Sequence, residues 1–536
     1  MKRLNFRAIS DRKTLVLAAL SLIFFFVYSF LPLSGPEKFV SPDETANFVF
    51  TKIYAQNDLP RLYEPLNHQV DNLIYPRSVN VSGDYLVPGS FLGLILIYGI
   101  LAKLFGLLII PFLSPAFAVL AVLAFYKLIK KIFDLQTAFV SSLIFLIQPA
   151  WWYWTSRSMA NNVLFFSLAI ISLATLLGSR RKNKLTFVFA GFFFGLAIIT
   201  RTSEIVWLGF LLLILAIIAR RKISVIKISF FIVSLILIIL PLFYFNSQLY
   251  QSPFASGYSR IGNDLPPPRF LISRAQIQGF FFPFEVLPAN FAANFYSYVV
   301  LFFWPYFILF LAGLIFFFIN IKKTDWPQRF YFIIFTMVSF YLVVYYGSWN
   351  FHDNLDPEKI TIGTSYVRYW LPIYIFSLPF VALIFSKILT IFKKRYLRFG
   401  LSFLLGASLF IYSANLVFSG EEGLLQVRQN LAEYKEKAII INKITEKDAV
   451  IVADRNDKIV FPDRLVVSCL IADCPKFESL SKLIKLAPVY YYPSSSNFKA
   501  DQFNGEILVK YGLEINEEQV VKDTDRIYKF KIKNEE

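Results

Sequence analysis

Residues 14–36 read TLVLAALSLIFFFVYSFLPLSGP and carry no charge. A helix of about 20 apolar residues crosses a hydrocarbon core of about 30 Å, so this stretch is long enough to span a membrane. Similar charge-free runs recur along the chain, at 135–156, 158–179, 286–321, 330–351, 369–386 and 399–420. Of the 536 residues, 56% are apolar, more than a water-soluble protein of ordinary composition contains. The sequence therefore predicts an all-α, polytopic membrane domain.

The positively charged residues lie at the ends of the apolar runs. A formal charge of +18 is also common in nucleic-acid-binding proteins. Here, however, Lys and Arg cluster at the ends of apolar runs, at 2–13, 127–131, 180–184, 220–222, 322–323 and 393–398. Such clusters are typical of loops retained on the cytoplasmic side of a membrane. The charge therefore indicates topology, and no nucleic-acid partner is predicted.

Placing every basic cluster inside predicts about eleven spanning helices and a cytoplasmic N-terminus. The apolar stretch from Gly89 to Phe105 is interpreted as an interfacial or re-entrant helix, because a further span there would move every later basic cluster outside. The first run is too long for an ordinary signal peptide, so we expect an uncleaved anchor in the plasma (inner) membrane. The predicted spans lie near 14–33, 107–126, 135–152, 160–178, 185–200, 204–219, 226–245, 298–319, 329–347, 367–386 and 399–418.

The segments expected on the external face are 34–106, 246–297, 348–366 and the C-terminal tail. Residues 1–418 are predicted to form the membrane domain, and 419–536 a small external α/β domain with alternating helical and strand-like patterns. Its predicted helices are 421–444 and 476–486, and its predicted strands are 449–453, 465–470, 489–492 and 528–533. Cys469 and Cys474 are too few for a zinc site, which leaves a disulfide and two unpaired thiols as alternatives.

The first polar motif, Ser41-Pro42-Asp43-Glu44, follows the first span. Ser41 suits a helix N-cap, and Glu44 stands at the reciprocal position of a capping box. Asp43 is not needed for that box. Its alternatives are an acidic first-turn residue favoured by the helix dipole and a general base held at the membrane surface.

The second motif joins two apolar runs, 185–200 and 205–219, of 16 and 15 charge-free positions. Each is shorter than a full crossing needs, so the turn between them should be recessed below the outer surface. Arg201 and Glu204 lie in this turn. They form either a structural ion pair or an anion-binding arginine oriented by a carboxylate.

Further polar side chains on the predicted external face are candidates for the same site. Arg157 and Asn162 follow the aromatic run Trp151-Trp152-Tyr153-Trp154, which is also typical of an interfacial belt. Arg368 begins a later span, where it either snorkels to the interface or holds a phosphate. The remaining acidic, basic and imidazole groups lie in polar loops, where they either belong to a site or are solvated: His68, Asp71, Arg77, Asp84, His352, Asp353, Asp356 and Glu358.

The order of these motifs resembles the GT-C membrane glycosyltransferases, particularly relatives of the protein O-mannosyltransferases and of the lipid A aminoarabinose transferase. The matching features are Pro42-Asp43-Glu44 after the first span, a first loop that ends in an apolar helix, and an external C-terminal domain. Two later segments also match, Gly191-Phe-Phe-Phe-Gly195-Leu-Ala-Ile-Ile-Thr-Arg201 and Arg368-Tyr-Trp-Leu-Pro372. The resemblance covers the membrane region, and the order of the motifs carries it.

The resemblance implies transfer of a hexose or pentose from a polyprenyl-phosphate donor to a protein, lipid or glycan acceptor on the external face. Asp43 would deprotonate the acceptor hydroxyl in a single displacement that inverts the anomeric carbon. The expected phosphate-binding residues are Arg157, Arg201 and Arg368, the supporting acids are Glu44 and Asp84, and the expected cavity-lining residues are His68, Asn162 and Glu204. No cofactor is predicted, although a divalent metal stays open.

Two positions depart from the pattern of the relatives. Asn161-Asn162 stands where some of them have an acidic residue after the third span. Ala46 stands where the aminoarabinose transferases have an arginine after Pro-Asp-Glu-Thr. The neutral amide weakens a role of that position in metal or phosphate handling, and no metal site is predicted. With Ala46 in place of the arginine, phosphate binding is arranged differently or the donor differs.

Two other classes of protein fit the composition. A transporter or flippase of lipid-linked sugars would carry functional polar residues along its spans and on both faces. A non-catalytic membrane scaffold would need no recessed Arg201–Glu204 turn. The polar candidates gather on one predicted face, which favours an enzyme.

Overall fold

The computed structural model of the chain describes residues 2–35, 37–178, 183–219, 224–259, 279, 281–351, 353, 359–391, 394–469, 477–494 and 498–533. The chain divides into two compact units. The helical unit comprises Met1–Leu33, Phe112–Leu240 and Pro266–Gln426. The mixed unit comprises Ser34–Pro111, Pro241–Leu265 and Val427–Glu536. The first loop thus belongs to the same unit as the C-terminal residues, whereas the predicted boundary lay at 418/419.

Long apolar helices dominate the chain up to residue 444. Their bounds are α1 Lys2–Tyr28, α2 Pro42–Asn57, α3 Gly93–Phe105, α4 Ile110–Ile132, α5 Leu135–Ile147, α6 Pro149–Arg157, α7 Asn161–Gly178, α8 Lys184–Thr200, α9 Ile205–Ala219, α10 Val225–Tyr250, α11 Pro288–Phe295, α12 Trp304–Ile319, α13 Trp326–Gly347, α14 Ser365–Tyr369, α15 Leu371–Phe376, α16 Leu378–Ile391, α17 Arg395–Ser419 and α18 Leu424–Ile444. Three short helices follow: α19 Asp457–Val460, α20 Phe477–Ile484 and α21 Ala500–Glu506.

Within the described ranges, five helical segments are long and apolar enough to cross a membrane: Leu107–Ile132, Val225–Tyr250, Trp326–Gly347, Leu371–Ile388 and Arg395–Ile444. Three bent helix pairs also qualify if each counts as one span, which raises the number to eight. The pair formed by α8 and α9 bends by 116° and the pair formed by α6 and α7 by 117°. The predicted count of about eleven spans is not confirmed, because several apolar runs fold as short or bent helices.

The predicted interfacial or re-entrant stretch contains α3, a helix of 13 residues. At a rise of 1.5 Å per residue it is about 20 Å long, shorter than the hydrocarbon core. The chain then turns at Gly106, whose φ is +92°, a conformation that glycine adopts without steric cost. The length of α3 fits a helix that does not cross.

Small residues let helices of the helical unit approach closely. A Cβ on Gly191 of α8 would lie 2.2 Å from the carbonyl oxygen of Phe231 in α10. A Cβ on Gly313 of α12 would lie 1.9 Å from the carbonyl oxygen of Phe380 in α16. Neither contact is possible for a real side chain, so these glycines fix backbone-to-backbone packing.

The mixed unit contains two sheets. A three-stranded antiparallel sheet has the order β1-β3-β2, with β1 Leu62–Tyr63, β2 Val79–Ser82 and β3 Tyr85–Pro88. The C-terminal sheet has five strands in the order β5-β4-β6-β8-β7: β4 Val450–Ala453, β5 Leu465–Ser468, β6 Val489–Tyr492, β7 Leu513–Lys522 and β8 Asp525–Ile532. Strand β4 is parallel to β5 and β6, and β8 is antiparallel to β6 and β7. The predicted small C-terminal α/β region is therefore present.

The core of the mixed unit joins the first loop to the C-terminal sheet. Val70, Leu73 and Ile74 are buried in one apolar cluster with side chains of β4, β6 and β8. Tyr75 pairs in parallel with Val467 of β5. A segment of the first loop therefore extends the edge of the C-terminal sheet. Cys469 is disulfide-bonded, and Cys474 lies outside the described residues.

Candidate functional site

Helix α2 begins at the predicted capping box. The backbone N–H of Ser41 donates to Glu44 Oε2 at 3.2 Å, and the N–H of Asp43 donates to Ser41 Oγ at 3.2 Å. Glu44 is 1% exposed. The box satisfies backbone donors that a helix N-terminus otherwise leaves unpaired. Glu44 thus has the structural role that its spacing predicts, while Asp43 stands outside the box.

The carboxylate of Asp43 is oriented by a residue that the sequence analysis did not name. Ser78 Oγ donates to Asp43 Oδ1 at 2.5 Å. Ser78 has a φ of +61°, a left-handed conformation that is uncommon for residues other than glycine. The N–H of Gly89 donates to its carbonyl at 2.9 Å, and a Cβ on Gly89 would lie 2.6 Å from Ser78 C. Ser78 is thus held in a strained conformation beside Asp43.

Two other predicted residues of the first loop pair with each other. His68 Nε2 lies 2.6 Å from Asp84 Oδ1, and both side chains are well exposed. Asp84 occupies the turn between β2 and β3, and its carbonyl accepts from the N–H of Glu64 at 2.7 Å. Burial raises the pKa of the Glu64 carboxyl. His68 and Asp84 therefore form a surface pair at a hairpin turn.

The turn between α8 and α9 contains the predicted ion pair. Arg201 Nε donates to Glu204 Oε1 at 3.0 Å, and both side chains are buried. Glu204 also accepts from Trp207 Nε1 at 2.6 Å and from the hydroxyl of Tyr346. A buried carboxylate needs such partners because its desolvation is costly. The predicted contact between Arg201 and Glu204 is present, and both alternatives, a structural ion pair and an anion-binding arginine oriented by a carboxylate, stay predictions.

The other nitrogens of Arg201 donate to two more elements. Nη1 donates to Asn162 Oδ1 of α7 at 3.1 Å, and Nη2 donates to the hydroxyl of Tyr346 in α13 at 2.8 Å. The guanidinium also lies over the ring of Tyr369, 4.8 Å from its centroid. Arg201 is 6% exposed. It links α7, α13 and α14 to the α8–α9 turn.

Arg157 and Arg368 meet at Trp154. The Cζ atom of each lies 5.2 Å from the centroid of the Trp154 ring. Arg157 Nη1 donates to the hydroxyl of Tyr153 at 2.9 Å, and Arg368 Nη2 donates to Ser365 Oγ at 3.0 Å. Two guanidinium groups thus lie beside one indole in the helical unit.

Asn162 connects the two arginine groups. Its Oδ1 accepts from Arg201, and its Nδ2 donates to the backbone carbonyl of Arg368 at 3.2 Å. The structure therefore brings Arg157, Asn162, Arg201, Glu204 and Arg368 into one cluster of the helical unit.

Asp353 supports Arg368 indirectly. Its carboxylate accepts from the N–H of Ser365 at 2.7 Å and from Ser365 Oγ at 3.1 Å. Ser365 Oγ in turn accepts from Arg368. His352, Asp356 and Glu358, the other candidate residues of this loop, lie outside the described residues. Among the residues that are described, no three His, Cys, Asp or Glu side chains are grouped to hold a metal.

The chain is similar to known proteins both in part of its sequence and in its fold. Residues 92–245 match the family model of dolichyl-phosphate-mannose-protein mannosyltransferases. Among solved structures, the chain is similar to the oligosaccharyltransferase of Archaeoglobus fulgidus. The form tethered with an acceptor peptide gives a TM-score of 0.57 at 14% identity, over 91% of this chain and 70% of that chain. The chain has the GT-C fold.

Two further crystal structures of the Archaeoglobus enzyme agree with this GT-C assignment. The apo form gives a TM-score of 0.55 at 11% identity, over 91% of this chain and 70% of that chain. The complex with zinc and sulfate gives a TM-score of 0.52 at 13% identity, over 90% of this chain and 68% of that chain. No curated protein matches the chain.

The GT-C resemblance predicted from the sequence is thus confirmed. The GT-C fold and the apolar helices indicate an integral membrane protein. The region that matches the mannosyltransferase model includes Arg157, Asn162, Arg201 and Glu204, but neither Asp43 nor Arg368. The roles of all these residues stay predictions.

The residues missed by the sequence analysis are polar groups at the ends of apolar helices or in loops. Tyr346 and Tyr369, whose rings stack with centroids 4.4 Å apart, resemble members of an interfacial aromatic belt. Ser78 has no local signal in the sequence. Trp207 looks like an ordinary apolar residue of α9, although its indole N–H binds Glu204.

Proposed function

We propose that the protein is a membrane glycosyltransferase that transfers a sugar from a polyprenyl-phosphate donor to an acceptor on the external face, with inversion at the anomeric carbon. The observation that carries the proposal is the Asp43 carboxylate, which lies outside the capping box and is oriented by Ser78 Oγ at 2.5 Å. A carboxylate held rigidly at a helix N-terminus suits a general base.

The chemistry requires one proton transfer and one displacement. Asp43 accepts the proton of the acceptor hydroxyl as that oxygen forms a bond to the anomeric carbon. The bond between the anomeric carbon and the phosphate oxygen breaks, and its electrons leave with the lipid phosphate. Because a phosphate leaves readily as an anion, one carboxylate suffices where glycosidases use two.

The leaving phosphate needs positive charge. We assign this role to Arg157 and Arg368, which flank Trp154. Planar guanidinium groups bind phosphate oxygens in pairs and stabilise the charge that develops on them. Arg201 is assigned a supporting role, because its nitrogens already donate to Glu204, Asn162 and Tyr346.

The relatives suggest which substrates to test first. The matching family model is named for transfer of mannose from dolichyl phosphate to protein. One of the similar structures holds an acceptor peptide. We therefore take a mannosyl-phosphoryl polyprenol as the first donor and hydroxyl-bearing peptides as the first acceptors, followed by lipid and glycan acceptors.

The test compares wild type with Asp43→Asn and Glu44→Gln in purified, reconstituted protein. Loss of a general base lowers the rate by about 100-fold or more, so Asp43→Asn should lose transfer of radiolabelled sugar. Glu44→Gln keeps an oxygen acceptor for the Ser41 N–H, so this variant should retain transfer of the radiolabelled sugar. Equal transfer by Asp43→Asn and wild type would contradict the assignment of the base.

The transporter remains the alternative to be tested with the same preparation. It predicts that the wild-type protein moves labelled donor across the bilayer without releasing its sugar. An accumulation of intact donor in the opposite leaflet, with no sugar transfer to any acceptor, would replace the glycosyltransferase proposal.

A further inference from the structure

The first loop is attached to the C-terminal part of the mixed unit by an ion pair between a partly exposed arginine and a buried carboxylate. Arg77 Nη2 donates to Asp457 Oδ1 at 2.6 Å, and Nε donates to the same oxygen at 3.1 Å. The backbone N–H of Arg77 donates to Asp457 Oδ2 at 2.8 Å. Asp457 is 0% exposed. Both carboxylate oxygens of Asp457 thus accept from one first-loop residue, which fixes its backbone as well as its side chain.

Arg77 immediately precedes the serine that contacts Asp43. Ser78 follows it in the left-handed conformation and directs its hydroxyl to Asp43 Oδ1. A continuous path of contacts therefore runs from Asp457 through Arg77 and Ser78 to Asp43. Its links are an ion pair with a buried carboxylate, one peptide bond and a short hydrogen bond.

A second attachment involves the segment that precedes Asp43 in the sequence. Lys38, three positions before Ser41, is buried and its Nζ lies 2.7 Å from Asp463 Oδ2. The same ammonium donates to the carbonyl of Phe461 at 3.4 Å. Both first-loop segments next to Asp43 are therefore bound to the segment between β4 and β5.

The edge of the sheet adds a third attachment. The N–H of Ser468, at the end of β5, donates to the carbonyl of Tyr75 at 3.2 Å. Tyr75 lies two residues before Arg77, so the backbone that leads to Ser78 is tied to the sheet as well. The C-terminal region thus fixes the chain at two positions shortly before Ser78, whose hydroxyl orients Asp43.

We propose that the segment between β4 and β5 is a positioning element of the active site, in which Asp457 orients the Asp43 carboxylate through Arg77 and Ser78. This inference rests on the proposed function, in which Asp43 is the general base. It assigns the C-terminal region a catalytic role that does not depend on binding the acceptor. A base displaced by about 1 Å loses up to about 100-fold in rate, so the positioning contributes to turnover.

The same two segments share an ion pair that does not lead to Asp43. Lys482 of α20 lies 2.8 Å from Asp71 Oδ2, and both side chains are exposed. The hydrogen bonds from Lys482 and Ser479 lower the pKa of the Asp71 carboxyl. Asp71→Asn therefore removes an attachment between the first loop and the C-terminal region without touching the proposed path. It is the matched control.

The test measures kcat and donor KM for Ser78→Ala, Ser78→Gly, Arg77→Lys, Asp457→Asn and the control. We expect kcat to fall by between about 10- and 100-fold in the first four, with donor KM within about twofold of wild type. Asp71→Asn should keep wild-type kcat. Glycine relieves the strain at position 78 but also removes the hydroxyl, so Ser78→Gly should be as slow as Ser78→Ala.

Combination with Asp43→Asn separates positioning from a general loss of structure. If Asp457 acts through Asp43, adding Asp457→Asn to Asp43→Asn should cause no further loss of residual transfer. If the rate losses of the two single variants multiply in the double variant, the inference is overturned. Wild-type kcat in both Ser78 variants, together with an inactive Asp43→Asn, would also overturn it and leave the proposed function intact.

Two further cases are an Asp457→Asn variant that does not fold and a wild type that transfers no sugar. If Asp457→Asn does not fold, the two Ser78 variants decide the question. If wild type transfers no sugar, hydrogen exchange at residues 41–46 decides it: faster exchange in Ser78→Ala or Arg77→Lys than in Asp71→Asn supports the path. Exchange equal to that of the control overturns it.

Discussion

Asp43 and Glu44 are adjacent carboxylates with different surroundings. Glu44 is buried and binds the N–H of Ser41, whereas Asp43 is partly buried and accepts from Ser78. The capping box could be predicted from the spacing of Ser41 and Glu44 alone, because both partners lie within one helical turn. The contact with Ser78 could not, since 35 positions separate the two residues.

Arg157 and Arg368 make the first residue-scale prediction. Replacing each with Lys keeps the charge but removes the planar fork that pairs with phosphate oxygens. Donor KM should rise about tenfold in each variant, with the unfolding temperature unchanged. Arg395→Lys, a change at an exposed arginine of α17, serves as the control and should leave donor KM unaltered. An unchanged donor KM in the Arg368 variant would rule out its role in phosphate binding.

Arg201 should behave differently, because its nitrogens already donate to Glu204, Asn162 and Tyr346. Arg201→Leu leaves Glu204 buried without its cation, which costs about 3–5 kcal/mol in comparable buried pairs. The unfolding temperature of the purified protein should therefore fall clearly. The double variant Arg201→Leu/Glu204→Leu should recover part of that loss. A single variant as stable as wild type would show that the pair does not stabilise the α8–α9 turn.

At the scale of elements, glycines decide how closely helices pack. Gly313→Ala would place a methyl group 1.9 Å from the Phe380 carbonyl oxygen, so α12 and α16 must separate. Overpacking of this kind typically costs about 1–3 kcal/mol, visible as a lower unfolding temperature. Gly406→Ala in α17 meets nothing within 4 Å and should instead stabilise its helix by about 0.5–1 kcal/mol. Equal effects of the two substitutions would contradict the packing account.

Elements were predictable where local pattern dominates. Strands β4, β5 and β6 coincide with apolar runs, and the predicted strands overlap all three. Strand β7 was missed, because its sequence Leu513–Lys522 includes three Glu residues and its pairing with β8 is interrupted by irregularities. The bends between α6 and α7 and between α8 and α9 explain why hydropathy alone does not give the number of spans.

For the whole molecule, the division into units was the least predictable feature. The sequence suggests a membrane domain followed by a separate tail, but Val70, Leu73 and Ile74 of the first loop lie in the core of the C-terminal sheet. Arg77 and Asp457 are 380 positions apart, and no periodicity links such distant residues. Long-range pairing of this kind depends on tertiary structure, which local patterns do not report.

This arrangement predicts that the first loop and the C-terminal sheet open together. Ile74 is fully buried, so Ile74→Ala should cost about 2–5 kcal/mol. Hydrogen exchange should then accelerate both in β2 and β3 and in β4 to β6. Val520→Ala, at an exposed valine of β7, should change hydrogen exchange in neither group of strands. Faster exchange confined to the first loop would show that the two parts are independent.

The central claim is that Asp43 is the general base of a sugar transfer from a lipid phosphate. Its most direct test measures donor Kd and the single-turnover rate of transfer on the same Asp43→Asn preparation. The account predicts a donor Kd within about twofold of wild type and a rate reduced by about 100-fold or more, because a general base acts only in the transition state. A rate close to wild type, or a loss of donor binding that accounts for the whole loss of rate, would contradict it.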